Sequence, residues 1–145
     1  MLSYRHEYHA GNHADVLKHL VEIAVLDYLT QKEKPITYID SHTGPGSYKL
    51  DGQMASKTKE YKEGIGRLES KAHPLLERYA EYYDNKWYAG SFAIAQQILR
   101  PHDSLRCYEM HTTDFERLKN NVSHDKRVRY SNTDGFQGVV SQVPP

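Results

Sequence analysis

The sequence predicts an α/β fold built on a Rossmann-like parallel sheet. Three short β-branched or aromatic runs alternate with helical stretches along the 145 residues. A glycine-rich turn directly follows the first run, and an acidic residue stands at or just past the end of each. The order is helix, strand, helical insertion, strand, helix, strand, helix, which implies parallel pairing through right-handed crossovers. Three strands make only the first half of such a sheet. Strand one is therefore expected to carry an open edge, and an isolated half-sheet to be marginally stable and prone to self-association.

Each element has its own reason. Ala14 to about Gln31 reads as a helix with Leu17, Leu20, Val21, Ala24, Val25 and Tyr28 on one face. Asn12 or His13 can open it, Asp15 suits its first turn, and Lys32-Glu33-Lys34-Pro35 closes it. Residues 36–40 form a short buried strand, and 41–46 a loop. From about 49 to 88 the chain is polar and helix-friendly, with too little apolar material for a separate core, so it reads as a helical insertion. Ser91 is expected to cap a helix that stops at Pro101. Residues 104–110 give a second strand, Thr113-Asp114-Phe115-Glu116 a capping box, and 127–131 a third strand. A last helix runs over 136–143.

Composition narrows the function classes. The 19 basic and 19 acidic residues cancel, so any nucleic-acid contact must come from a local patch. One cysteine, Cys107, excludes an internal disulfide and fits a cytoplasmic protein. The polar, histidine-rich N-terminus has no signal-like apolar segment, and no apolar run approaches the ~20 residues that span a bilayer.

The strongest local signal is Asp40-Ser41-His42-Thr43-Gly44-Pro45-Gly46 after a strand. Gly44 and Gly46 let a ligand approach the backbone at the carboxyl end of the sheet. The segment lacks the Gly-Lys-Ser/Thr of a phosphate loop, and Lys49 stands where a dinucleotide fingerprint needs its third glycine. Asp40 would repel a pyrophosphate and suits a cation, such as the sulfonium and ammonium of S-adenosylmethionine. Taken alone, the segment is equally a plain tight turn. Glu109 near the end of strand two can accept both hydroxyls of a ribose, and Asp134 after strand three can accept from an adenine amino group. Each by itself is a helix cap or a solvated turn; three acids at three successive strand ends match one adenosyl ligand across the sheet edge.

His6, His9, His13 and His19 cluster early, and His42 joins the glycine loop, but their spacing matches no common metal pattern. No metal site is assigned. Lys57, Lys59, Lys62, Arg67 and Lys71 in the insertion form either a phosphate-contacting surface or a solvated helical face.

The blocks Met1-Leu2-Ser3-Tyr4-Arg5-His6 and His9-Ala10-Gly11-Asn12-His13-Ala14-Asp15-Val16-Leu17-Lys18-His19 carry a resemblance. So do Asp40-x-His42-x-Gly44-x-Gly46, Glu60-Tyr61-x-Glu63-Gly64-Ile65 and Tyr88-x-Gly90-Ser91. Asp103-Ser104-Leu105, Glu109-x-His111 and Asp134-Gly135-Phe136-Gln137 complete it. In that order, over essentially the whole chain, the sequence resembles the bacterial 23S ribosomal RNA adenine-N6-methyltransferase family of the large-subunit methyltransferase J type.

The resemblance implies a class I S-adenosylmethionine-dependent methyltransferase fold with a helical insertion after the first strand. It implies cofactor contacts at His19, His42, Ser91, Glu109, Asp134 and Gly135, places Lys18 in the N-terminal cofactor motif, and sets Tyr4 and His6 over the RNA substrate. The family's catalytic Asp-Pro-Pro-Tyr is absent from these residues; Pro144-Pro145 follows Val143. Residues 1–145 therefore read as the N-terminal, cofactor-binding part of such a domain, with no catalytic residue of its own and no turnover alone. The alternative is a non-catalytic module that binds S-adenosylmethionine or RNA; a histidine-rich metal hydrolase is a third possibility.

Overall fold

The computed structural model describes residues 9–50, 62, 64–69, 72–84 and 86–144. Helix α1 (His13–Leu29) leads into strand β1 (Thr37–Asp40), followed by β2 (Ser47–Lys49). The 3₁₀ turn Ile65–Arg67, helix α2 (Pro74–Tyr79), the 3₁₀ turn Ala80–Tyr82 and strand β3 (Trp87–Ala89) come next. Helix α3 (Ser91–Ile98), strand β4 (Ser104–Tyr108), helix α4 (Thr112–Val122), strand β5 (Val128–Ser131) and helix α5 (Gly135–Gln142) complete the order.

Strands β1, β4 and β5 form the parallel sheet in the order β1-β4-β5, with Asp40 level with Cys107 and Tyr108 with Ser131. Among the described residues, the outer side of β1 is an open edge. Leu26, Phe92, Ala95, Leu105, Cys107, Leu118 and Val128 make one core on one face of this sheet, between it and α1, α3 and α4. Side chains alternate along a strand, so Tyr108 points to the face opposite Cys107. Gly138 of α5 packs there, where an added Cβ would overlap the Tyr108 ring.

The N-terminal block folds for local reasons. The Asn12 side chain caps α1 by accepting the Asp15 amide at 2.9 Å. Asp15 is itself buried; one carboxylate oxygen accepts the Gly11 amide at 3.0 Å, and the other meets Lys18 at 2.9 Å. Gly11, at φ 79°, offers its carbonyl to the Ile65 amide at 2.8 Å and so pins the inserted segment to the start of α1.

Four expectations are corrected. Most of the apolar face read on α1 faces outward: Leu17, Val21, Val25 and Tyr28 are 49–66% exposed and Ala24 is exposed too, while Leu20 packs against the core and Val16, His19, Ile23 and Leu26 are buried. The segment after the first strand is less helical than expected, since β2 and β3 pair antiparallel, Ser47 to Ala89, and only α2 is a regular helix among its described residues. Its Tyr48, Ile65, Tyr79, Tyr82 and Tyr88 share a second core with Val16, Ile23 and Ile94, so it completes its apolar packing on α1 and α3. Gly90, not Ser91, caps α3, and Ser91 is its first residue. His111 caps α4 in place of the Thr113 box: its ring accepts the Asp114 amide, and Thr112 already belongs to the helix.

No helix among the described residues is long and apolar enough to cross a membrane.

Candidate functional site

The carboxyl ends of β1, β4 and β5 lie side by side, and the glycine turn is fastened across them. Gly44 and Gly46 adopt φ of 65° and 90°, the left-handed region that glycine enters without strain. The Thr43 amide donates to the Tyr108 carbonyl at 3.1 Å, the Gly90 amide to the Gly46 carbonyl at 2.8 Å, and the Asn121 side chain to the Pro45 carbonyl at 3.0 Å. The turn thus has fixed contacts to β4, α3 and α4.

Two cavities flank this turn. The first, about 320 Å³, is lined by Lys18, His19, Asp40, His42, Thr43, Tyr48, Gly90 and Ser91. The second, about 690 Å³, is bounded by Ser41, His42, Glu109, Asp134, Gly135 and Phe136, with Met110 to Thr113 along one side. His42 belongs to both walls, so the two spaces adjoin at its exposed ring. That ring meets Phe136 edge-on, with centroids 4.9 Å apart, and its Nδ1 lies 2.8 Å from the Ser41 hydroxyl.

The three acids are each held by backbone amides. Asp40 accepts from the His42 amide at 3.1 Å and from the Tyr38 hydroxyl at 3.4 Å. Burial pushes its carboxyl pKa up, against the His42 amide and Lys18, which lower it. Glu109 accepts the Gly44 amide on one oxygen at 2.6 Å and the His111 amide on the other at 2.8 Å. Each oxygen keeps a further lone pair for a hydroxyl donor. Asp134 caps α5 by accepting the Phe136 amide at 2.8 Å. Gly135 follows it because a Cβ there would run into the Ser41 carbonyl.

His19 is placed differently from the other candidates. It is fully buried; Nδ1 lies 2.8 Å from the Tyr88 hydroxyl and 3.0 Å from that of Tyr79, and Nε2 lies 3.1 Å from the Ser91 hydroxyl. Both ring nitrogens are thus engaged, one of them by Ser91, and His19 also lines the first cavity. The two tyrosines have their ionisation pushed well up by burial, so they stay neutral donors and acceptors.

Of the residues expected at the site, Lys18, His19, Asp40, His42 and Ser91 meet around the first cavity, and His42, Glu109, Asp134 and Gly135 around the second. Gly44 and Gly46, also expected to touch the ligand, shape the turn but are among the lining residues of neither cavity. Tyr4 and His6 lie outside the described residues, as do Lys57, Lys59 and Lys71. Thr43, Tyr48, Tyr79, Tyr88 and Phe136 escaped the sequence reading. Their roles come from contacts between distant segments, although Thr43, Tyr88 and Phe136 stand within the glycine-turn, Tyr88-x-Gly90-Ser91 and Asp134-Gly135-Phe136-Gln137 motifs.

The donor set suits S-adenosylmethionine. Lys18 can meet its carboxylate, Asp40 its ammonium, Glu109 its ribose diol, and Asp134 with Phe136 its adenine edge and face.

Residues 33–145 match the family model described as "Ribosomal RNA large subunit methyltransferase D, RlmJ". The chain is 41% identical to the "Ribosomal RNA large subunit methyltransferase J" of Escherichia coli (strain K12) and 46% identical to the protein of that name from Haemophilus influenzae. Both alignments cover 100% of this chain and 55% of the relative, so the chain spans about half the length of the curated relatives it matches. A crystal structure of a Legionella pneumophila str. Philadelphia 1 protein superposes with a TM-score of 0.84 at 33% identity, covering 94% of this chain and 53% of that one. With the family model matched over residues 33–145, this chain belongs to the ribosomal RNA large-subunit methyltransferase J family.

Proposed function

We propose that this chain is the cofactor-binding part of an S-adenosylmethionine-dependent methyltransferase that modifies N6 of an adenine in 23S ribosomal RNA. One observation carries the reading: the glycine turn and carboxylates from three adjacent strand ends border two cavities that meet at His42. An extended ligand with a charged amino-acid end and a nucleoside end suits such a pair of spaces.

Bound here, S-adenosylmethionine supplies a methyl group activated on a sulfonium. Lys18, Asp40 and Ser91 hold the amino-acid portion, with Ser91 oriented by His19. Glu109 takes the ribose, its carboxylate aimed by the two amides it accepts. His42, Asp134, Gly135 and Phe136 frame the base. Methyl transfer to an exocyclic amine is a matter of positioning plus acceptors for the amino protons. The family's Asp-Pro-Pro-Tyr serves that purpose and does not occur in these 145 residues, so the chain alone gives no turnover. The target base must be splayed out to be reached. Tyr4 and His6 are the residues assigned to meet the RNA, with the insertion's lysines as phosphate contacts, and a cytoplasmic setting follows from the substrate.

The test is isothermal titration of the chain with S-adenosylmethionine and with ATP, alongside a methylation assay on protein-free 23S RNA. The proposal expects one saturable S-adenosylmethionine site, no ATP site and no methyl transfer. Absence of S-adenosylmethionine binding contradicts the cofactor assignment, and methyl transfer contradicts the inactivity.

A further inference from the structure

Behind Asp40 in the first cavity stand Tyr38 and Glu22, two groups that the cofactor reading does not use. Glu22 stands one helical turn after Lys18 on α1. The Tyr38 hydroxyl lies 3.1 Å from Glu22 Oε1 and 3.4 Å from Asp40 Oδ2. Asp40 lines the cavity, so Glu22 sits one tyrosine behind its wall. Glu22 Oε2 is buried and has no hydrogen-bond partner among the described residues.

A tyrosine hydroxyl has one proton and cannot donate to both carboxylates at once. With both acids ionised, one would face the hydroxyl oxygen lone pairs without a donor, in a buried setting where that is costly. A single proton on Glu22 completes the chain. Glu22 then donates to Tyr38 and Tyr38 to Asp40; burial raises the Asp40 carboxyl too, but Asp40 accepts the His42 amide, a donor that suits an anion, while Glu22 Oε2 has none.

The titratable groups around Glu22 are Lys18 on its own helix, Tyr38 and Asp40 on β1, and Tyr79 on α2, with the Ser91 hydroxyl from α3. Burial is the largest influence and pushes the Glu22 carboxyl up to about 8; Asp40 adds to the rise, while Tyr38, Lys18 and Ser91 oppose it.

We propose that Glu22 stores a proton behind Asp40 and releases it when a cationic adenosyl ligand occupies the cavity. This rests on the cavity's being the S-adenosylmethionine site. A cation within about 4–6 Å lowers a carboxyl by about 1–3 pKa units, and Glu22 is near enough to the cavity wall to be lowered by Lys18 and Ser91, which line it. S-adenosylmethionine brings a sulfonium that S-adenosylhomocysteine lacks. The two ligands therefore differ in the protons they displace, and the methyl donor gains affinity over the product as pH rises.

The experiment is titration calorimetry of the chain at pH 7.5 with each ligand, in buffers of differing ionisation enthalpy. Wild type should release about 0.5–0.8 proton on binding S-adenosylmethionine and clearly less with S-adenosylhomocysteine. Glu22→Gln, a neutral isostere, should still bind and should lose that release. Unchanged release in Glu22→Gln, or none in wild type, overturns the proposal while leaving the cofactor site intact. Failure of wild type to bind either ligand overturns the site and the proposal together. Infrared difference spectra of wild type serve if the variant does not fold: S-adenosylmethionine should bleach the carbonyl band of a protonated carboxylic acid. Absence of the bleach overturns the proposal.

Discussion

Glu109 accepts the Gly44 amide at 2.6 Å, a bond that joins the end of β4 to the glycine turn after β1. The same carboxylate accepts the His111 amide just before α4, so one side chain fixes the turn and the mouth of the second cavity. Hydrogen bonds to a charged acceptor contribute about 1.5–3 kcal/mol. Glu109→Ala should therefore weaken S-adenosylmethionine binding by about 10- to 100-fold. Glu109→Gln, with one acceptor oxygen left, should lose less. Calorimetry on the two variants checks the order; equal affinity of Glu109→Ala and wild type would contradict the role.

Gly135 enters α5 with its backbone against the Ser41 carbonyl. A methyl group has no room there, and the obstacle is main chain, which yields poorly. Gly135→Ala should separate the β5 end from the turn after β1, at about 1–3 kcal/mol as for other overpacked sites. A lowered melting temperature together with weaker S-adenosylmethionine binding is expected. An unchanged melt would show that these two segments are not in contact.

The direction in which α1 faces yields a stability prediction. Ile23 is fully buried, whereas Val21 is 55% exposed. Ile23→Ala should cost about 2–5 kcal/mol in urea unfolding. Val21→Ala should stay within about 0.5 kcal/mol. The reverse order would restore the face that amphipathicity suggested.

Stability should also depend on Glu22. Its carboxyl is raised from 4.5 in a free chain to about 8 on folding. The folded state then binds a proton more tightly than the unfolded one. The contribution is complete below about 4.5 and is lost as pH rises through about 8. Thermal melts of wild type should fall across that window, and Glu22→Gln should flatten the fall. Parallel profiles for the two proteins would contradict it.

Much of this was legible in the chain. The parallel sheet followed from alternating segment types, and the acids at the strand ends marked the side of the sheet where the two cavities lie. The face of α1 was not, and the reason is physical. Its solvent side carries Leu17, Val21, Val25 and Tyr28, while its inner side carries Asp15, His19 and Glu22, which cavity and network recruit. Apolar periodicity marks the buried side only when the buried side is not itself a polar site. The β2–β3 pair escaped because it joins segments nearly 40 residues apart, each too short to show an alternating pattern. His19 was assigned to the ligand by its motif; it lines the first cavity, and only the Tyr79, Tyr88 and Ser91 contacts show how its ring is held there.

The most direct measurement is a crystal structure of the chain with S-adenosylhomocysteine. The account predicts one molecule running past His42, its amino-acid end by Lys18 and Asp40 and its adenosine between Glu109 and Asp134. Ligand density that avoids either of these two cavities would contradict it.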